Sequence, residues 1–264
     1  MTIEQFDDLK KWFETYVDNV TPDDNRLKTL ITLKYNHSHE VAVNCRGIAE
    51  DANMSASDIL TAELLGLFHD IGRFSQLVEF QTFSDPDSLN HGEHGYEIAI
   101  KTDVLSAVSD SDKQRILNGI RYHNSRIIPE HLDSDVLPFV KLIRDADKLD
   151  IFRVISETLG NKDFDKYPEI TLHIDIDGPV NPAALSQVRR LETVSYENVK
   201  SLLDFRLTQL AWIFDINYPF TFRQIIERGF LNEITGSLPE DDDIREVIRS
   251  VVDFIDSKLK SAVN

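Results

Sequence analysis

This 264-residue sequence has few of the features that are typical of membrane and secreted proteins. Its single cysteine, Cys45, excludes a disulfide within the chain. No uninterrupted apolar run approaches the ~20 residues that a membrane-spanning helix requires. The first residues carry acidic side chains and lack the basic and apolar regions of a secretion signal. We therefore expect a cytoplasmic protein with no membrane partner.

Basic residues are also scarce, with 28 Lys and Arg against 46 Asp and Glu and a net charge of -18. Such a surface repels nucleic-acid backbones, so we expect no long nucleic acid as a partner. The glycine-rich motifs of dinucleotide and P-loop sites are missing as well. A small phosphorylated substrate is compatible with the acidic surface, because a bound metal and a few local bases can make a pocket positive.

Apolar residues recur at the three-to-four spacing of a buried helical face along most of the chain. This spacing predicts a helix over residues 2–20, a second from residue 23 or 24, and further helices from about 91, over 110–123 and from 134 or 135. Hydrophobic residues make up 41% of the sequence, which is enough for a globular core. We therefore predict an all-α protein whose centre is a bundle of five or six helices.

Two stretches interrupt the helical pattern. Residues 75–90 contain Pro86 and no clear period, which predicts a loop. Residues 160–182 are charged and loop-like, and residues 170–176 alternate as in a short strand or extended arm. Helical periodicity returns over 184–215, near 222–230 and from 241 to about 259. We expect residues 1–264 to form a single compact unit, with a core at about 25–155 and a helical C-terminal extension at about 181–264.

The C-terminal extension is rich in aromatic side chains, including Trp212, Phe214 and Phe222. We expect these side chains to pack against the first helices. The alternative is a lid, or the surface of a homodimer formed through the C-terminal helices.

The sequence LLGLFHDIGRF, residues 64–74, places two strong metal ligands, His69 and Asp70, next to each other before a glycine. Adjacent residues on a helix point about 100° apart, so they can bind one ion only where a helix ends at a cleft. Taken alone, the pair favours a core histidine followed by a polar residue.

The other predicted helices also place ligand-type side chains on their apolar faces. His37 lies four residues before Val41, and Asp147 lies one turn after Ile143. The full set is His37, His69, Asp70, His91, His123 and Asp147. Buried imidazoles and carboxylates need partners, and a shared metal ion would supply them.

Three of these elements carry a resemblance to a known family. His37-Ser-His-Glu-Val-Ala, His69-Asp70-Ile-Gly and Ala146-Asp147-Lys148-Leu149 follow one another as in the HD-domain superfamily of metal-dependent phosphohydrolases. The resemblance covers about residues 25–155 and implies the all-α HD-domain helical bundle. It makes His37, His69, Asp70 and Asp147 the ligands of one ion. Asp145 competes with Asp147 for the last place, and the match to Ala-Asp-Lys-Leu favours Asp147.

His91 and His123 resemble the extra histidines of relatives with a second metal. Tyr122 and Asn124 stand where such relatives have further ligands. We therefore favour contact with the substrate phosphate for His91 and His123, as catalytic groups, over a full second metal site. The Gly-Tyr-Pro signature of cyclic dinucleotide phosphodiesterases and the Glu-Asp pair of (p)ppGpp hydrolases are not found, which disfavours both activities.

The mixed imidazole and carboxylate ligands suit Mn²⁺, Fe²⁺, Co²⁺, Ni²⁺ or Zn²⁺. Such an ion can lower the pKa of a bound water from 15.7 towards ~7 and polarise a phosphoryl oxygen, while Asp70 orients the nucleophile. Several bases lie near the proposed ligands in the sequence. We expect Arg73, Arg126 and Lys148 to bind substrate, with Lys34 and Arg121 as further candidates.

Two functions from different classes are compatible with these residues. The first is a metal-dependent phosphohydrolase that acts on a small phosphomonoester or phosphodiester, with a nucleotide as the expected substrate. The second is a catalytically silent, metal-bound sensor or interaction module of the same fold. The complete set of candidate ligands favours the hydrolase.

Overall fold

The computed structural model describes residues 1–160 and 175–263. These residues form α-helices joined by loops and short 3-10 turns, with no β-strand among them. An isolated parallel bridge joins Asp175 to Ser201. The prediction of an all-α protein is confirmed, whereas most of the strand or arm predicted at 170–176 lies outside the described residues.

The chain divides into two compact units, Met1–Asp150 and Ile151–Asn264. The first contains α1 (Ile3–Val20), α2 (Asn25–Asp51), α3 (Ala56–Phe68), α4 (Ile71–Phe80), α5 (His91–Lys101), α6 (Asp110–Tyr122) and the first part of α7 (Leu137–Gly160). The second contains the rest of α7, α8 (Pro182–Arg189), α9 (Leu202–Trp212), α10 (Pro219–Glu227), α11 (Phe230–Gly236) and α12 (Asp242–Val263). The expected packing of both parts into a single compact unit stays a prediction.

Aromatic packing makes α1 part of the first unit. Phe13 of α1 is fully buried, and its ring lies 5.8 Å from that of Phe68 and 5.7 Å from that of Phe74. Helices α2 and α3 approach closely where Gly66 faces Ala42, because a Cβ at Gly66 would lie 2.6 Å from the Ala42 Cα. α1 therefore packs against the helices of the predicted core.

Capping residues determine where three helices of the first unit begin. Asp24, Asn90 and Ser109 precede α2, α5 and α6, and each side chain accepts a hydrogen bond from the backbone N–H three residues on. Such caps satisfy amides that have no partner within the helix. The predicted starts of these helices are confirmed.

The loop predicted at residues 75–90 is wrong in its first half. α4 continues to Phe80, because Phe74 and Leu77 are buried one turn apart on its inner face. The loop is limited to residues 81–90 and contains a 3-10 turn at Asp85–Asp87. This short loop carries Asp85 into the centre described below.

The continuous helical pattern predicted over residues 184–215 is also wrong. α8 ends at Arg189, and α9 starts at Leu202 behind a capping box formed by Ser201 and Asp204. The capping box starts a new helix at Leu202, although the spacing of the apolar residues alone predicts one continuous helix. No helix among the described residues is long and apolar enough to cross a membrane.

Candidate metal centre

Six ligand-type side chains from five parts of the first unit converge on one site. His37 comes from α2, His69 and Asp70 from the junction of α3 and α4, His91 from the start of α5, His123 from the end of α6 and Asp147 from α7. Five of them are buried, and the side chain of Asp147 is 19% exposed. These residues form three overlapping groups, and within each group the ligand atoms lie within 4.8 Å of one another. The groups are His37, His69 and Asp70; His69, His123 and Asp147; and Asp70, His91 and His123.

A break in the helix lets His69 and Asp70 face the same site. α3 ends at Phe68 and α4 begins at Ile71, so the two residues lie between helices. The glycine that follows is needed for a close approach. A Cβ at Gly72 would lie 2.3 Å from the backbone oxygen of His91, which begins α5. The junction therefore brings α4 directly against the start of α5.

Hydrogen bonds determine which ring nitrogen of each histidine faces the centre. The Nδ1 atoms of His69 and His123 lie 2.7 Å from the carbonyl oxygens of Gly66 and Ile120. A carbonyl oxygen can only accept, so both Nδ1 atoms carry the hydrogen and donate it. The Nε2 atom of each neutral ring then presents a lone pair to the centre.

The other two histidines donate Nδ1–H to carboxylates. His37 donates to Asp150 at 2.6 Å, and His91 donates to Asp85 at 2.7 Å. Carboxylate partners of this kind orient metal-binding imidazoles and fix their tautomer. All four rings therefore direct Nε2 inwards.

The Nε2 atoms have no donor in the protein that satisfies them. That of His69 is buried without a hydrogen-bond partner, and that of His37 lies 3.1 Å from the carboxylate of Asp147, which is no donor. Those of His91 and His123 lie 2.9 Å apart, although neither carries a hydrogen in this tautomer. Two nitrogen ligands at right angles, each about 2.1 Å from a shared cation, lie about 3.0 Å apart. The residues therefore fit a metal ion.

The two oxygens of Asp70 face different members of the cluster. Oδ2 lies 3.5 Å from His69 Nε2 and 3.6 Å from His37 Nε2. Oδ1 lies 3.4 Å from His91 Nε2 and 3.6 Å from His123 Nε2. Asp70 thus lies between two groups of imidazoles, as a carboxylate that bridges two ions does.

Asp147 lies beside the first of these two groups, and its choice over Asp145 as a ligand stays a prediction. Its Oδ1 atom lies 3.1 Å from His37 Nε2 and 3.7 Å from His69 Nε2. Among the described residues, Asp147 belongs to one of the three groups whose ligand atoms lie within 4.8 Å of one another, and Asp145 belongs to none of them.

Burial alters the pKa values of the imidazoles. It lowers the pKa of His69 to about 4 and, together with the charge of Arg73, that of His91 to about 3. Burial opposes protonation of His37 too, but its hydrogen bonds to Asp147 and Asp150 raise the pKa overall. The hydrogen bonds of His37 thus favour its protonated form, and a cation that binds its Nε2 has to displace that proton.

The carboxylates of the centre stay ionised. Burial opposes ionisation of Asp70, but Lys34 and the surrounding histidines hold its pKa well below the usual range. Burial likewise opposes ionisation of Asp147, and the hydrogen bond from His37 with the charges of the histidines lowers its pKa overall. Two ionised carboxylates beside imidazole nitrogens attract a divalent cation.

The HD domain family model matches residues 35–151 of the chain. The match includes all six ligand-type residues that converge in the structure. The chain carries an HD domain. No curated protein and no solved structure matches the chain significantly. HD domains are typical of metal-dependent phosphohydrolases, and the His and Asp cluster of this one is compatible with metal binding.

The predicted substrate-binding bases have different surroundings in the HD domain. Arg73 donates through Nη1 to Asp85 at 2.7 Å, and its Nε lies 3.8 Å from Asp70. Lys148, next to Asp147, donates to the carbonyl of Arg144 at 3.4 Å. Arg126 is exposed, three residues after His123. Contact of any of these bases with substrate stays a prediction.

Three further residues of the centre are not among those preferred from the sequence. Lys34 lies 2.7 Å from Asp70 Oδ2. Its position one turn before His37 indicates that it lies on the same face of α2 as that histidine. Asp150 holds the ring of His37, and its place one turn after Asp147 signals a shared helical face. Asp85 reaches His91 from the loop, for which no local pattern gives a signal.

Proposed function

We propose that the protein is a metal-dependent phosphohydrolase that acts on a small phosphomonoester or phosphodiester, with a nucleotide as the expected substrate. One observation carries the proposal: four imidazole Nε2 atoms and two ionised carboxylates converge, and the buried Nε2 atoms of His37 and His69 accept no hydrogen bond from the described residues. Lys34 balances part of the negative charge of the cluster, and a bound cation would pair the carboxylates with the imidazole lone pairs.

The donor atoms support two cation positions. His37, His69, Asp70 and Asp147 would hold the first, and Asp70, His91 and His123 would hold the second. Bound divalent ions supply an activated water and polarise the phosphoryl oxygens of the substrate. The 2.9 Å separation of the Nε2 atoms of His91 and His123 favours this arrangement over the role in phosphate contact expected from the sequence.

The side chains around the cations have separate tasks. Lys34 brings a positive charge to the Asp70 Oδ2 edge of the centre, where it can bind a phosphoryl oxygen. Asp147 is the most exposed of the six ligand-type residues, so its carboxylate faces the side from which substrate and water arrive. Its ionised oxygens can accept a hydrogen bond from the attacking water and orient it.

A metal-dependence assay tests the proposal. The protein is stripped with a chelator, dialysed and reloaded in turn with Mn²⁺, Fe²⁺, Co²⁺, Ni²⁺ and Zn²⁺. Bis-p-nitrophenyl phosphate, p-nitrophenyl phosphate and a nucleotide panel then serve as substrates. We expect turnover only after reloading. His69→Ala should abolish both turnover and metal uptake, whereas His131→Ala, at an exposed histidine, should change neither.

The outcome separates the two candidate functions. Some HD-domain proteins are not catalytic. Stoichiometric metal without turnover on any substrate would reject the hydrolase and leave a metal-bound sensor or interaction module. An absence of metal uptake with every ion would reject both.

A further inference from the structure

His91 differs from the other three histidines of the centre in how its ring is held. His69 and His123 follow helices, and each donates Nδ1–H to the carbonyl three residues earlier. Carbonyls in the last turn of a helix are free to accept such a bond. His91 is the first residue of α5, so no helical turn precedes it. Its Nδ1–H needs an acceptor from elsewhere in the chain.

Asp85 supplies that acceptor from the loop between α4 and α5. Its two carboxylate oxygens lie 2.7 and 2.9 Å from the Nδ1 of His91. The side chain is 26% exposed and lies in the short 3-10 turn at Asp85–Asp87. A loop residue thus determines the tautomer of a histidine whose Nε2 faces the centre.

The carboxylate of Asp85 is itself anchored from two other elements. Arg73 and Gln76 of α4 donate to Oδ1 at 2.7 and 3.1 Å, and Asn124 after α6 donates to Oδ2 at 3.2 Å. Gln76 is fully buried and also donates to Ser88 and to the carbonyl of Leu89, at 2.8 and 3.0 Å. These bonds hold the loop in one position against the centre.

We propose that Asp85 is a positioning residue, anchored by Arg73 and Gln76, that keeps His91 Nε2 free and aimed to bind the second cation. The inference rests on the two-cation arrangement proposed above. It gives Arg73 the task of holding Asp85 rather than the substrate phosphate. Partners of this kind contribute about 10- to 100-fold to metal affinity in comparable sites.

Metal titration of Asp85→Asn and Asp85→Ala provides the first test, with Zn²⁺ as the probe and calorimetry as the readout. We expect the affinity for the second equivalent to fall about 10- to 100-fold, while the first changes by less than about threefold. Asp87→Asn is the matched control, because Asp87 lies in the same turn and its side chain accepts from Ser84 at 2.6 Å. It should leave both affinities unchanged.

A spectroscopic test needs no metal. In the metal-free protein with ¹⁵N-labelled histidine, long-range ¹H–¹⁵N spectra should show His91 with hydrogen on Nδ1. In Asp85→Asn the amide group can turn its NH₂ towards Nδ1, and the hydrogen then moves to Nε2. We expect this change in Asp85→Asn and not in Asp87→Asn.

The results separate this inference from the function on which it rests. An unchanged His91 spectrum and an unchanged second affinity in Asp85→Asn would overturn the positioning role. Equal weakening of both ions, together with a lower melting temperature, would assign Asp85 a structural role instead. If the wild type takes up only one equivalent, the proposed second cation site is wrong. The spectra still decide whether Asp85 determines the tautomer of His91.

Discussion

Two buried aspartates, Asp70 in the first unit and Asp204 in the second, lie at helix starts but have different partners. Asp204 accepts hydrogen bonds from the backbone N–H groups of Asn181, Lys200 and Ser201 at 2.6 to 3.0 Å. Asp70 immediately precedes α4, yet its side chain makes no capping bond. Its oxygens face the ammonium of Lys34 at 2.7 Å and imidazole Nε2 atoms at 3.4 to 3.6 Å.

This difference separates a carboxylate that stabilises the fold from one that is available to a ligand. Backbone amides neutralise the buried charge of Asp204 without outside help. Asp70 makes no capping bond and faces the ammonium of Lys34 and four imidazole nitrogens instead. A bound cation would pair its oxygens with these nitrogens.

Substitution of Asp70 by asparagine should have the largest effect on function. Because the amide is neutral and binds metals weakly, we expect turnover to fall at least about 1000-fold and metal content to fall below one equivalent. The fold should be kept, since no capping bond is lost. Metal analysis, initial rates and thermal melting measure these quantities together. A variant that retained both metal and turnover would contradict the role of Asp70 as a shared ligand.

Asp204→Ala should show the opposite pattern. It removes the acceptor of three backbone N–H groups, of which that of Ser201 is buried, and half of a capping box, so we expect a loss of about 2 to 4 kcal/mol in unfolding free energy. Metal content should stay that of the wild type. Denaturant unfolding with parallel metal analysis checks both expectations.

Asp204→Asn is the matched control, because its amide oxygen can still accept one of these bonds. It should lose less stability than Asp204→Ala. Equal losses in the two variants would show that hydrogen-bond acceptance by this residue is not what stabilises α9.

Much of the centre could be predicted from the sequence, because each helix carries its ligand on a recognisable apolar face. His37, His123 and Asp147 lie one helical turn from core residues. The motifs that contain His37, His69 and Asp147 also follow one another in the order found in HD domains. Asp85 could not be predicted. Its contacts depend on how a loop folds back on two helices, and no period or motif encodes that placement.

The predicted helix boundaries were wrong where tertiary packing or capping overrides the local apolar spacing. The first half of the predicted loop became helix because Phe74 and Leu77 are buried one turn apart. The break after Arg189 was missed because the apolar period continues past it, although Ser201 and Asp204 form a capping box at the new start. Both errors leave the predicted ligand positions unchanged.

Acid should destabilise the metal-free protein through its imidazoles. His69 and His91 have pKa values of about 4 and about 3 in the fold, below the value of about 6.5 in an unfolded chain. Between these values the unfolded state binds more protons, so stability falls as the pH drops below 6.5. Each histidine contributes roughly 1 kcal/mol per pH unit. The raised pKa of His37 acts oppositely, with stability lost as the pH rises above 6.5.

Denaturant unfolding of the metal-free protein at pH 7, 6 and 5 measures this slope. A His69→Gln, His91→Gln double variant should have a clearly shallower slope, whereas His131→Gln, at an exposed position, should match the wild type. A wild-type slope in the double variant would assign the acid sensitivity to other groups.

Two glycines extend the comparison of the units to the backbone. A Cβ at Gly72 would lie 2.3 Å from the His91 oxygen and 2.7 Å from the Gly95 nitrogen, both of them backbone atoms that cannot rotate away. Gly72→Ala should therefore push α4 and α5 apart at a cost of about 1 to 3 kcal/mol. Since His91 begins α5, affinity for the second metal equivalent should fall as well, which calorimetric titration measures.

Gly236→Ala in α11 is the matched control, because nothing lies within 4 Å of the added Cβ. Alanine has less conformational freedom to lose on folding than glycine, so this variant should gain up to about 1 kcal/mol. The two alanine substitutions then have opposite signs for a physical reason. In the first unit the missing side chain makes room for His91, and in the second the space is open. Stabilisation by Gly72→Ala with unchanged metal binding would mean that α4 and α5 can separate without displacing His91, and the close approach would then have no part in the centre.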